Sequence, residues 1–260
     1  MTTTTITESM LTRERILRVF PDVAANDVEK PDSQSGPELE GYDEEQVRLM
    51  EEVCIVLDWN DAPCGSASKK TCHLMTNIDG GLLHRAFSVF LFNEENKLLL
   101  QQRADEKITF PGMWTNTCCS HPLSVPGEIG HDLPSSVMGV KRAAQRKLYQ
   151  ELGIPGKDVP IDNFQFLTRI HYKAPSDGIW GEHEIDYILF IKSNPLVAAN
   201  YNEVKATKYV TADELKAMFQ DKSLTFTPWF KLICETYLFD WWSNIDNVSS
   251  FREDGIRRLL

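Results

Sequence analysis

Glu182-His-Glu184 opens the run Ile185-Asp-Tyr-Ile-Leu-Phe190, which reads as a β-strand, where side chains at i and i+2 point to one side. Glu182 and Glu184 therefore share a face with Ile188 and Phe190. Two carboxylates at the head of an apolar face cannot both stay ionised unaided, because like charge and desolvation each raise a carboxyl pKa. A cation or a shared proton is implied, against the plainer reading of a solvated strand end. Three histidines bear on that choice: His73 and His84 flank Gly80-Gly81, and His121 closes Thr115-Asn-Thr-Cys-Cys-Ser-His121. Three imidazoles with two carboxylates make a donor set for Zn, Mn or Fe, with Mg less at home among nitrogens. Taken singly, each histidine is more often a surface or core residue than a ligand.

Cys118 and Cys119 are adjacent, so in an extended segment one faces a cleft and the other turns away, and Cys119 falls on the side of His121. The alternative is two buried thiols acting as small hydrophobes. Lys69, Lys70, Arg103 and Lys107 add cations of the kind that grip a diphosphate, although such charges are most often solvated.

Residues so far apart need elements to bring them together. Residues 41–52 read as a short helix or linker, and Val53–Leu57 as a first strand ending in the turn Asp58–Asp61. His84–Phe92 and Lys97–Arg103, joined by Asn93-Glu-Glu-Asn96, suggest a β-hairpin. Val137, Val140, Ala144, Leu148 and Leu152 recur at helical spacing until Gly153 and Pro155 stop the helix. Strands follow at 164–172 and 182–191, a helix begins near Ala212, and a Trp- and Phe-rich helical segment runs from Pro228 to about Trp242. Strands and helices interleave without regular βαβ alternation, which fits one mixed α/β domain.

The 260 residues carry 27 basic and 38 acidic side chains, a net charge of −11, and no basic patch offsets it, so nucleic acid is not an expected partner. Residues 1–52 hold five basic side chains against thirteen acidic ones, leaving the rest of the chain close to neutral and open to an anionic substrate. Residues 1–40, polar and containing Pro31-Asp-Ser-Gln-Ser-Gly-Pro37, are expected to form a flexible acidic tail ahead of a folded domain at 41–260. Nothing approaches the ~18 consecutive apolar residues of a membrane span. The start lacks a secretory pattern, and the six cysteines read as free thiols, so a cytoplasmic location is expected.

Leu83-His-Arg-Ala-Phe-Ser88, Pro111-Gly-Met-Trp-Thr-Asn-Thr-Cys-Cys-Ser-His-Pro122, Trp180-Gly-Glu-His-Glu184 and Thr227-Pro-Trp-Phe230 follow one another in the chain. In these motifs, over about residues 41–245, the sequence resembles the type I isopentenyl-diphosphate isomerases, members of the Nudix-fold superfamily. The resemblance implies an α/β (α+β type) fold, a Nudix-like mixed sheet flanked by helices in a single domain, acting as a monomer. It implies an enzyme that transposes a C=C bond, interconverting isopentenyl and dimethylallyl diphosphate through a tertiary carbocation, in isoprenoid (sterol) precursor synthesis. Carried over by motif, Cys119 and Glu184 are the proton-transferring pair, with Tyr172 assisting the carboxyl. Lys69, Arg103, Lys107 and the Ser120 region would grip the diphosphate, and Trp114 or Trp229 would face the cation. His73, His84, His121, Glu182 and Glu184 would hold a divalent metal (Mg, Mn or Zn), and Glu151 a Mg ion brought with the substrate diphosphate. No flavin or nicotinamide is implied, and no dinucleotide-binding glycine pattern occurs.

The family helix at Arg146–Ile154 stands where a Nudix hydrolase carries its acidic box, and Lys147 and Gln150 replace two of those acids. That loss weighs against the alternative reading, a Nudix-type diphosphate hydrolase. A non-catalytic diphosphate- or metal-binding module is a third. The Pro- and Gly-rich segment Ser124–Ser136, expected to be longer than in compact relatives, departs from the pattern beside the site.

Overall fold

In the computed structural model, which describes residues 6–25 and 36–260, the helices and strands follow one another as α1 (Arg13–Val19), α2 (Glu44–Leu49), β1 (Val53–Leu57), β2 (Pro63–Ser68), α3 (Lys69–His73), α4 (Met75–Asp79), β3 (His84–Phe92), β4 (Leu98–Arg103), β5 (Trp114–Thr115) and β6 (Cys118–Ser120). The second half adds α5 (Leu133–Leu152), β7 (Gln165–Pro175), β8 (Gly181–Lys192), β9 (Val204–Val210), α6 (Ala212–Gln220), α7 (Pro228–Ile233), α8 (Phe239–Ser243) and β10 (Ile256–Arg258). One mixed sheet runs in the order β10-β7-β8-β3-β1-β2, with β6 and β4 also on β3, and β5 and β9 on β4.

β3 is buried at every position and pairs in parallel with β8 along its whole length. A near-continuous apolar run suits a parallel pair covered on both faces. The expected hairpin between β3 and β4 shrinks to one pairing, Phe92 with Leu98, because β3 gives its other edge to β6 and β1 while β4 leaves to pair with β9.

Alternation along β8 divides the interior. Ile185, Tyr187, Leu189 and Ile191 pack with Val140, Ala144, Leu148 and Leu152 of α5. Ile188 and Phe190, on the other face, pack with Phe230, Ile233 and Trp241 of α7 and α8, which a π-helical turn at Cys234–Leu238 joins. α5 starts four residues before the apolar spacing announced it, at a capping box formed by Asp132 and Ser135. It stops where expected, at Gly153 in the left-handed conformation (φ 65°).

The head of the chain differs from the expected flexible tail. Residues 6–25 are packed: Ile16, Phe20 and Val23 close over Cys54, Val56, Cys64, Cys72 and Leu82, Ile6 and Leu11 join the α5-side core, and Ala24 pairs with Ser66. Averaging over a polar, acidic stretch hid five apolar residues spaced to bury together. Leu39, within the same expected tail, packs with Met50, Ile108 and Trp180. The rest of that expected tail, residues 1–5 and 26–35, lies outside the described residues.

Candidate metal centre and cleft

β8 delivers Glu182 and Glu184 to the α7-side face of the sheet, as the strand period requires. His84 at the head of β3 lies directly beside Glu184 in register. β6, antiparallel on β3, carries Cys119 opposite Ser88 and so brings the following His121 to the same end. α3 supplies His73 from its last turn, the ring fixed by a 2.6 Å contact between Nδ1 and the Lys69 carbonyl. Four separate elements thus converge on one spot.

All five side chains are buried, and their donor atoms lie within 4.8 Å of one another. His73 Nε2 approaches Glu182 Oε2 at 2.8 Å, and His84 Nε2 and His121 Nε2 approach Glu184 Oε1 at 3.2 and 2.8 Å. Yet His73 Nε2, both nitrogens of His84 and Glu182 Oε2 have no aligned hydrogen-bond partner among the described residues. Buried polar atoms left unpaired in this way are costly, and lone pairs converging on a common point are what a cation requires. The donor set therefore fits a divalent metal. Without one, burial alone would push the His84 imidazole down, but the close Glu184 carboxylate and the other charges around it outweigh burial and raise it to about 9. Burial and the facing rings of His84 and His73 push His121 well down.

A cleft of about 420 Å³ opens beside the cluster, lined among others by Lys69, Arg103, Lys107, Cys119, Ser120, Lys147, Glu151, Tyr172 and Trp229. Tyr172, opposite Glu184 on β7, donates its hydroxyl to Glu184 Oε2 at 2.5 Å. Burial would raise the Glu184 carboxyl, but contacts from His84 and Tyr172 hold it below its ordinary value. Burial pushes the Cys119 thiol up to about 12 against the opposing pull of Arg103 and Thr115, so it is protonated at neutral pH. Thr115 Oγ1 sits 3.6 Å from the sulfur. Arg103 is buried and aimed by donating to the carbonyls of Thr109 and Phe110, its Cζ 5.9 Å from the Trp229 ring. Lys107 is held by Glu203 Oε2 at 2.6 Å, and Glu203 is in turn held by Gln46 at 3.0 Å.

Of the residues expected to touch the substrate, Trp114 does not line the cleft. Its neighbour Thr115 turns toward Cys119 and Thr227, while Trp114 packs, half-buried, at the edge of the core cluster that holds Tyr172, Trp229 and Phe230. Lys70 turns to Glu38, at 3.1 Å. Lys147, read earlier only as a lost acid, points into the cleft with its Nζ 3.3 Å from Glu151 Oε1, whereas Gln150 is exposed. Its i, i+4 relation to Glu151 was the available signal. Glu203 and Gln46 had none. Segment 124–136 is pinned: Glu128 accepts from the Leu123 amide and from Nε and Nη2 of Arg146, which also donates to the His121 carbonyl.

A model of the NUDIX domain matches residues 82–230. The isopentenyl-diphosphate delta-isomerase of Gibberella zeae is 64% identical over 260 residues, spanning 99% of this chain and 99% of that protein. The protein of that name from Candida albicans is 62% identical, over 88% of this chain and 86% of its own length. The one from Schizosaccharomyces pombe is 64% identical, over 86% and 98%.

Proposed function

Because the chain belongs to the isopentenyl-diphosphate delta-isomerase family and carries its Nudix domain, we propose that it moves the double bond of isopentenyl diphosphate by proton transfer between Cys119 and Glu184. The enzyme is an isomerase that interconverts isopentenyl and dimethylallyl diphosphate in isoprenoid biosynthesis. The observation that carries the assignment is a thiol, Cys119, and a carboxylate, Glu184, itself bonded to Tyr172, lining one cleft at a buried five-donor cluster.

Lys69, Arg103, Lys107, Lys147 and Ser120 bind the diphosphate at the cationic end of the cleft, charge-assisted contacts being the strong ones for phosphate oxygens. The five-carbon skeleton lies between Cys119 and Glu184. One adds a proton to the terminal alkene carbon, which leaves the cation on the tertiary carbon, the other removes a proton from the CH₂ on the far side of that carbon, and the roles exchange between the forward and reverse directions. Tyr172 orients the Glu184 carboxylate. Trp229 presents its π face to the tertiary cation, worth ~0.5–2 kcal/mol, which is small beside the ~8 kcal/mol or more that enzymes remove from a barrier. The larger share falls to the carboxylate field and to exclusion of water from the buried site.

His73, His84, His121, Glu182 and Glu184 would hold a divalent ion (Mg, Mn or Zn), and Glu151 a Mg ion on the diphosphate. Bound there, these ions supply Lewis-acid charge for Glu184 and for the phosphate oxygens. Hydrolysis is not favoured, since Lys147 and Gln150 replace two of the box acids and leave Glu151 alone of them facing the cleft. The free cysteines fit a reducing compartment, and we place the enzyme in the cytoplasm as a monomer supplying sterol precursors. No helix among the described residues is long and apolar enough to cross a membrane.

Incubating the metal-loaded protein with isopentenyl diphosphate in D₂O and reading the product by NMR tests the assignment. Wild type yields dimethylallyl diphosphate with deuterium on carbon. Cys119→Ala and Glu184→Gln lose roughly 10²–10⁴-fold or more in rate with unchanged circular dichroism. Near-normal label incorporation by either variant overturns the pair.

A further inference from the structure

Behind the cluster, on the opposite face of the sheet, a second set of histidines forms a chain of hydrogen bonds. Arg258 Nη1 lies 2.6 Å from His171 Nδ1, His171 Nε2 lies 2.9 Å from His183 Nε2, and His183 Nδ1 lies 2.8 Å from the Leu82 carbonyl. Both rings are fully buried.

The direction of every bond in this chain is fixed by chemistry. A guanidinium only donates, so His171 Nδ1 accepts. Its one proton is then on Nε2 and donates to His183 Nε2, which leaves the His183 proton on Nδ1 for the Leu82 carbonyl. Both rings must be neutral, since a further proton on either would set two N–H groups against each other.

The chain runs across the strands in the order β10, β7, β8 and the entry to β3, the order in which those strands lie in the sheet. On the cleft face the row just beside it is Tyr172, Glu184 and His84, paired in register. Each rear residue adjoins a front one: His171 precedes Tyr172, His183 stands between Glu182 and Glu184, and Leu82 lies two before His84. Arg258 is held in turn by β10, paired in parallel with β7, by the Trp59 carbonyl at 2.7 Å, and by the Trp59 ring, 3.6 Å from its Cζ.

We propose that Arg258 is a positioning residue for the metal centre: it sets the tautomers of His171 and His183, and the relay so formed fixes the spacing of the strands that carry Tyr172, Glu182, Glu184 and His84. Groups that orient ligands from outside the coordination shell typically change metal affinity by ~10–100-fold. Arg258 acts through two rings and a backbone, so the lower end of that range applies.

The inference rests on the metal site proposed above, and the test separates the two. Imidazole ¹⁵N spectra of the metal-free full-length protein read the relay itself, and a chelator-competition titration with Mn²⁺ or Zn²⁺ reads the site. In wild type His171 carries Nε2–H and His183 carries Nδ1–H, both neutral. In Arg258→Leu, which keeps an apolar side chain against Trp59, the His171 tautomer becomes mixed and the metal dissociation constant rises about tenfold. Arg258→Lys, which retains a donor, restores both. A wild-type His171 with its proton on Nδ1, or an Arg258→Leu protein that scrambles the tautomers yet binds metal as wild type does, overturns the proposal. If Arg258→Leu does not fold, the wild-type spectra and the lysine variant still decide it. Wild-type protein that shows the tautomers but takes up no metal would count against the metal site alone.

Discussion

Lys147 shows what a single side chain can change in this fold. It occupies a position where a Nudix hydrolase would carry a carboxylate, and it is buried, with its ammonium on Glu151 and open to the cleft. Glu151, Glu203 and other neighbours outweigh the burial penalty and raise its pKa, so the charge is permanent. If it grips the diphosphate as proposed, replacing it with Met removes one charge-assisted contact, worth ~1.5–3 kcal/mol or roughly ten- to a hundred-fold in affinity. Lys147→Met is therefore expected to raise KM for isopentenyl diphosphate by that factor with a smaller change in kcat, and Lys147→Arg to recover most of it. An unchanged KM in steady-state assays would remove Lys147 from the binding set. The five metal-ligand candidates were legible in the sequence because strand alternation and residue chemistry are local properties. Glu203 was not, since its partners Lys107 and Gln46 lie 96 and 157 residues away, and no short-range pattern encodes such a contact.

Among the elements, α5 carries Lys147 and Glu151 of the cleft, and its contact with the preceding loop sets where His121 stands. A Cβ built on Gly139 would lie 2.0 Å from the Glu128 carbonyl oxygen, so the helix and loop touch backbone to backbone there. Glu128 holds Arg146 and the Leu123 amide, and Arg146 reaches the His121 carbonyl at 3.3 Å. Gly139→Ala forces the two apart. Overpacking of this kind costs ~1–3 kcal/mol, visible as a lower urea midpoint, and metal uptake weakens because His121 shifts with the loop. A variant with wild-type midpoint and wild-type metal titration would show that the loop yields without strain. The sequence marked α5 well because its apolar spacing is regular. It misjudged its start, where Asp132, Pro134 and Ser135 cap rather than pack, and it missed β9, whose burial alternates weakly because it closes an edge.

At the scale of the whole molecule, one mixed sheet between two helical layers was legible from the interleaving of strands and helices, whereas the packed head was not. Net charge and polarity describe averages, and the head needs only Ile16 of α1, with Phe20 and Val23 after it, to cover the β1–β2 corner. That cover leaves a consequence in the titration of the thiols. Burial drives Cys64 under the head to about 12, as it does Cys119 in the cleft, and holds Cys118 and Cys234 well above their ordinary value. In the unfolded chain a thiol ionises near ~8.5. Groups whose pKa is higher in the fold contribute stability that is complete below the unfolded value and is lost as pH climbs toward the folded one. Each thiol protonated in the fold and ionised in the unfolded chain removes about 1.4 kcal/mol per pH unit in that window. Stability should therefore fall from about pH 8.5 upward, steeply because several thiols act together. Urea midpoints measured under reducing conditions at pH 7.5, 9 and 10 (roughly bracketing that window) test this. Cys234→Ala, far from the cleft, should lose one thiol's share of the slope while starting from a somewhat lower midpoint at pH 7.5. A midpoint that stays level across the series, or a slope unchanged in the variant, would mean that the buried thiols do not govern the alkaline limit of the fold.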